Sequence, residues 1–142
     1  MNESEIKEKI EKGWIRVLAV IEVAAVKKEV AEAALKNHIE KLKKEKGVIL
    51  YREDYDEVVE VESPRKNIPK AYSQIVEIEF LIKNIPDLFR FVFLYGPSSI
   101  EILEPDKLKI DSSVLTDTLN TVAMFVHQYA AQGVGGIVLS PK

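Results

Sequence analysis

The stretch "YSQIVEIEFLIKNIPDLFRFVFLYGPSSIEILEP", residues Tyr72 to Pro105, decides the fold. It opens with strict alternation. Val76, Ile78, Phe80 and Ile82 point one way; Ser73, Glu77, Glu79 and Lys83 point the other. A period of two is a strand with one buried face and one face that is wet or covered by a polar partner. Over residues 84–96 the spacing becomes helical. Pro86 stands near the first turn, and Leu88, Phe89, Val92 and Phe93 are expected against the sheet. Gly96-Pro97 ends this helix, because glycine leaves a helix easily and proline cannot continue one. "SSIEILEP", 98–105, is a short strand closed by Pro105.

The same grammar holds upstream. "WIRVLAVIEVAAV", 14–26, is apolar on both sides, which predicts a central strand. Ile15, Val17, Ala19, Ile21 and Val23 line one side; Trp14, Leu18 and Val20 line the other. Residues 27–47 form the clearest helix, with a stripe of Val30, Ala34, Leu35, His38, Ile39 and Leu42, and Gly47 as its stop. "VILYREDYDEVVEVE", 48–62, reads as one strand whose acidic middle marks a bulge or an exposed edge. "SPRKNIPKA", 63–71, holds two prolines and reads as a loop. Residues 4–12 suggest a short helix capped by Ser4 and stopped by Gly13. After Pro105 a last helix is expected from about Asp111 to Gln132, capped by Asp111 or Ser112. Its stripe is Leu115, Leu119, Val122, Val126 and Tyr129. The tail "GVGGIVLSPK", 133–142, is either flexible or an added edge strand.

The order β-α-β-β-α-β predicts an α+β ferredoxin-like sandwich with an added C-terminal helix. All 142 residues fit one domain. It divides into a helical extension (1–13), a core (14–105), the last helix (111–132) and the tail (133–142).

Composition excludes several chemistries. Hydrophobic residues make up 46% and charged residues 30% of the chain, the balance of a soluble globular protein. A net charge of −3 provides no global field for nucleic acid or anionic lipid. The absence of cysteine removes disulfides and thiolate sites. The N-terminus lacks an apolar signal core and no apolar run is long enough to span a bilayer, so a cytoplasmic location is expected. Abundant Lys, Glu, Ile and Val without Cys fit a thermophilic source.

"LFRFVFLYGPSSIEILEPDKLK" resembles the last helix–strand unit of the C-terminal extension in WYL-type bacterial transcription regulators. Gly96, Pro97, Glu101, Leu103, Glu104, Pro105 and Leu108 carry that likeness. It implies the ferredoxin-like fold and a role in assembly or ligand sensing. Regulator activity does not come with it, since no helix-turn-helix or WYL core is present. The whole chain is also similar to small, uncharacterised, stand-alone archaeal proteins, through Leu18 to Val23, His38 and Pro97 to Pro105. That likeness implies no known activity.

Candidate functional residues are few. The turn at Gly96, Pro97, Ser98 and Ser99 is either a structural corner or a ligand-facing loop offering hydroxyls and amides. His127 is the best titratable candidate, since histidine changes charge near neutral pH. Asn120, Met124 and Gln128 share its side of the helix. No HxxxH or HExxH spacing exists, so no metal is expected. No Walker loop, GxGxxG or GxSxG occurs, and no cofactor is expected. Glu22 interrupts the first strand and is read as solvated at its end. Glu77 and Glu79 share a strand face, where they can pair with Arg16. Together with Trp14 and Leu18 these residues form an expected interface, because an apolar sheet face beside charges suits a homodimer or higher homo-oligomer. The aromatic and basic pattern of an RNA-binding sheet is missing, and the Lys-rich helix, seven lysines against four glutamates over 27–46, reads as a solvated face. No nucleic acid and no membrane is expected as a partner. The leading expectation is a non-catalytic oligomeric module that binds a small ligand or regulates. The alternative is an enzyme with an acid–base or metal site around His127, Glu77 and Glu79.

Overall fold

The computed structural model describes residues 1–63, 66–67 and 70–131. The expected tail, part of the expected loop 63–71 and Gln132 lie outside the described residues. The elements run α1 (Glu3–Glu11), β1 (Ile15–Ala25), α2 (Lys28–Lys43), β2 (Val48–Tyr55), β3 (Val59–Glu62), β4 (Lys70–Ile82), α3 (Ile85–Tyr95), β5 (Ser99–Glu104) and α4 (Ser112–Ala131). The result is a mixed α+β fold: an open five-stranded antiparallel sheet with four helices among the described residues. The strand order is β2-β4-β1-β5, with β3 also paired to β4. β1 is central, as its two apolar faces require.

The expected single strand 48–62 is two strands on one edge of β4. Val48 pairs with Ile82 and Tyr55 with Val76; then Val59 pairs with Ser73 and Glu62 with Lys70. The break falls in the acidic stretch. There the Asp56 amide donates to Ile75 O at 2.9 Å and Gln74 Nε2 donates to Asp56 O at 2.9 Å. A bulge at Tyr51 shifts the β2–β4 register between Leu50 and Arg52.

One sheet face builds the core. Val17, Ala19 and Ile21 of β1 and Val76, Ile78, Phe80 and Ile82 of β4 are fully buried there, as their alternation predicts. α2 covers them with Ala31, Leu35, Ile39 and Leu42, and α3 with Leu88, Phe91 and Tyr95. The Phe80 and Phe91 rings meet at 4.8 Å and 51°. Each fully buried Ile, Leu or Phe stabilises the fold by about 1.5–3 kcal/mol.

Several expected faces are rotated. In α2 it is Ala31 that is buried, while Val30 and Ala34 face solvent. α2 also stops at Lys43, before Gly47. Gly47 passes beside the Asp87 side chain at the start of α3, where a Cβ would stand 2.6 Å from Oδ2 and would turn that carboxylate aside. In α3, Leu88, Phe91 and Tyr95 meet the core, whereas Phe89 and Val92, expected against the sheet, are exposed. The helix is fixed at both ends. Asn84 Oδ1 accepts from the Asp87 amide at 2.8 Å, and Gly96 adopts the left-handed conformation at φ 55° that ends a helix. α1 is capped by Asn2 rather than Ser4, its Oδ1 accepting from the Glu5 amide at 2.8 Å. Gly13, at φ 100°, is where the chain leaves α1. α4 docks on α3, with Phe93 and Phe125 stacked at 4.8 Å and 6°.

Candidate functional site

Two surfaces are distinctive: the outer face of the sheet and an apolar groove on the helix side. Arg16 organises the first. Side chains alternate along β1, so Arg16 points away from α2 and α3, beside Glu79 and Leu81 of β4. All five of its N–H donors are used. Nε donates to the Tyr51 hydroxyl at 2.8 Å; Nη1 donates to Glu3 at 3.2 Å and Glu104 at 3.0 Å; Nη2 donates to Glu3 at 2.9 Å and Glu79 at 3.2 Å. The Tyr51 hydroxyl donates to Glu79 at 2.5 Å. Arg52 continues the cluster to Glu77 at 2.9 Å, Glu79 at 3.3 Å and Asp54. Burial, and then the hydrogen bond to Glu79, push the Tyr51 hydroxyl up to about 12. Burial pushes the Glu79 carboxyl up, but hydrogen bonds from Tyr51, Arg16 and Arg52 outweigh it and hold the group below its ordinary value.

This cluster corrects the expectation of a greasy, uncovered sheet. Leu18 and Val20 are half-buried, and the Glu3 contacts bring α1 over one end of the face. Leu81, on that face, is fully buried, and Ile6 of α1 is buried too. Trp14 is half-buried under Lys9, whose Nζ stands 5.0 Å from the ring centroid. Of the five residues expected at an interface, Arg16 and Glu79 are joined directly, and Glu77 joins them through Arg52.

The exposed apolar surface lies on the other side. Leu88, Phe89, Val92 and Phe93 of α3 and Ile100 and Ile102 of β5 line a groove of about 530 Å³. Ile100 and Ile102 stand opposite Ala19 and Val17, on the core face of the sheet, yet they are 41% and 42% exposed. The helix layer leaves β5 uncovered. Phe93 connects this groove to α4 through its stack on Phe125.

The remaining candidates do not converge. Gly96 and Ser99 are exposed and Pro97 is half-buried. Ser98 is committed to the fold: its amide donates to Val20 O at 2.8 Å and its hydroxyl at 3.2 Å. His127 is exposed on α4, which rides on α3 on the helix side of the sheet. Glu77 and Glu79 are on the opposite sheet face, so the three residues of the enzyme reading share no site. Among the described residues no group of His, Asp and Glu is arranged to hold a metal ion. Glu22 is exposed at its strand and accepts from the Ser73 hydroxyl. His38 is structural: its Nε2 lies 3.0 Å from Tyr95 O, and its ring packs 4.9 Å from that of Tyr95. No helix of the described residues is long and apolar enough to cross a membrane.

Sequence reasoning found Arg16 with Glu79 but missed Tyr51, Arg52, Glu3 and Glu104. Tyr51 and Arg52 are neighbours, and a regular strand would send them to opposite faces. The bulge turns both toward Glu79, and alternation cannot show a bulge. The groove was missed because α3's apolar residues outnumber the places the core offers them.

No curated protein and no solved structure is significantly similar to this chain. A family model does match, from residue 16 to residue 141, nearly the whole span just described. The chain belongs to the MJ0538 family.

Proposed function

We propose that the protein is a non-catalytic module, an oligomer that binds a small apolar ligand in the groove between α3 and β5. The groove carries this reading. Its volume of about 530 Å³ falls within the range of roughly 300–1,000 Å³ typical of small-molecule sites. Its lining is wholly apolar, so the ligand would be held by its hydrocarbon surface. The ferredoxin-like assignment is part of the same reading. If β2 and β3 are counted as one bulged edge strand, the layer has four strands in the order second, third, first, fourth. The likeness of Leu88 to Leu108 to a ligand-sensing extension, and a cytoplasmic location, fit this picture.

The test is titration with 11-(dansylamino)undecanoic acid, followed by its blue-shifted emission. Saturable binding is expected, lost in Ile102→Glu and in Phe89→Lys. Phe89 is exposed, so at least that second variant should keep the native circular dichroism. Absence of saturable binding, or binding unchanged in both variants, overturns the reading.

A further inference from the structure

Of the arginines among the described residues, Arg16 and Arg52 are surrounded by carboxylates and Arg90 is paired with none. Asp87 stands one turn earlier on α3, at a spacing where such pairs form readily, yet no ion pair joins the two. Arg90 instead borders a cleft of about 570 Å³ at the end of α2. Lys41 and Lys44, at that helix terminus, and Lys46, in the turn that follows, line the same cleft. All three lysines are exposed, and none is ion-paired among the described residues. Lys43, which stands among them in sequence, pairs with Glu40 and Glu53. A helix C-terminus attracts cations, and that accounts for lysines at the end of α2. It does not account for a guanidinium brought to the same place by α3. Like charges gathered without counterions repel, a cost that a bound anion would relieve.

Two carboxylates, Glu45 and Asp87, also line the cleft. Glu45 accepts from the buried Tyr95 hydroxyl at 3.0 Å, and Asp87 lies against Gly47. Four cations less two carboxylates leave two positive charges. A phosphate monoester carries about −1.5 to −2 at pH 7 and matches them, whereas one carboxylate would cancel half. The donors also suit phosphate. The planar fork of Arg90 can grip two oxygens, and the lysine ammoniums supply point charges. The Lys46 and Gly47 amides, in the turn beside them, donate to no backbone carbonyl among the described residues. The cations close on one cleft, with carboxylates between them, and do not form a stripe along one face. That arrangement suits a small molecule better than the continuous backbone of a nucleic acid.

We propose that the cleft between the end of α2 and Arg90 of α3 binds a phosphate group, free or carried by a small molecule. It shares no lining residue with the apolar groove and does not depend on that reading. The experiment is isothermal titration calorimetry of the full chain with glycerol 3-phosphate and with inorganic phosphate, in low-salt buffer. Saturable one-site binding is expected, and it should weaken as salt is added. Arg90→Gln should weaken it about tenfold or more, and Lys46→Gln by less. Lys7→Gln removes the same charge from α1, on the opposite sheet face, and should leave binding unchanged. All three residues are exposed, so the variants should keep the native circular dichroism. Equal affinity for both probes identifies free phosphate as sufficient; tighter binding of the ester places the rest of that molecule in the cleft. No saturable binding of either probe, or the same loss in Lys7→Gln as in Arg90→Gln, overturns the proposal. So does phosphate bound only when displayed on an RNA oligonucleotide or a phosphatidate vesicle.

Discussion

α2 and α4 are both amphipathic helices, but they meet different surroundings. α2 has seven charged residues in sixteen: Lys28, Glu29, Glu32, Lys36, Glu40, Lys41 and Lys43. Its apolar line of Ala31, Leu35, Ile39 and Leu42 is wholly buried. α4 has one charge in twenty, and Leu115, Leu119, Met124 and Tyr129 are exposed on it. The charge content of a helix records how much of its circumference is meant to stay wet. By that measure α2 is finished among the described residues and α4 is not.

The largest effect should separate the two helices at leucine. Leu35→Ala removes a side chain with 0% exposure and should cost about 2–5 kcal/mol in urea unfolding. Leu119→Ala at micromolar concentration should cost less than about 0.5 kcal/mol, as at an exposed site. Equal costs would break the comparison. Next comes Phe125→Ala, which deletes the ring stacked on Phe93 and should cost about 3 kcal/mol. Hydrogen exchange should then show α4 opening while α2 stays protected, which would establish α4 as a separately docked element. A smaller effect should appear under acid. Glu79 is held below its ordinary value, so its contribution is complete above the ordinary carboxylate value and drains as pH falls through the folded one. Glu79→Gln should cost about 1–2 kcal/mol at neutral pH and flatten the acid limb of the stability profile.

Much of this fold is legible in residues whose pattern leaves one solution. Val17, Ala19 and Ile21, like Val76, Ile78, Phe80 and Ile82, alternate so strictly that a one-residue slip would bury charge. Helix faces are less constrained. In α3, Phe89, Phe91, Val92 and Phe93 are all apolar, so periodicity admits several faces. The ends decide between them: Asn84 as cap and Gly96 as exit orient Leu88, Phe91 and Tyr95 inward. The α4 stripe was visible as a stripe, but a stripe does not say whether its partner lies in the same chain. Arg16 was visible as a charge inside an apolar strand that demands partners. Two of those partners, Glu3 and Glu104, lie 13 and 88 positions away, beyond the reach of local pattern.

The bulge at Tyr51 is one residue added to an otherwise continuous ladder: Leu50 stands opposite Phe80 and Arg52 opposite Glu79, so removing Tyr51 would close the two segments into a regular strand without moving either. Leu50 would keep the helix side and Arg52 the charged side. A β2 shortened at that point should therefore keep the Arg52 contact to Glu79 and lose only the Tyr51 hydroxyl, which joins Arg16 to Glu79.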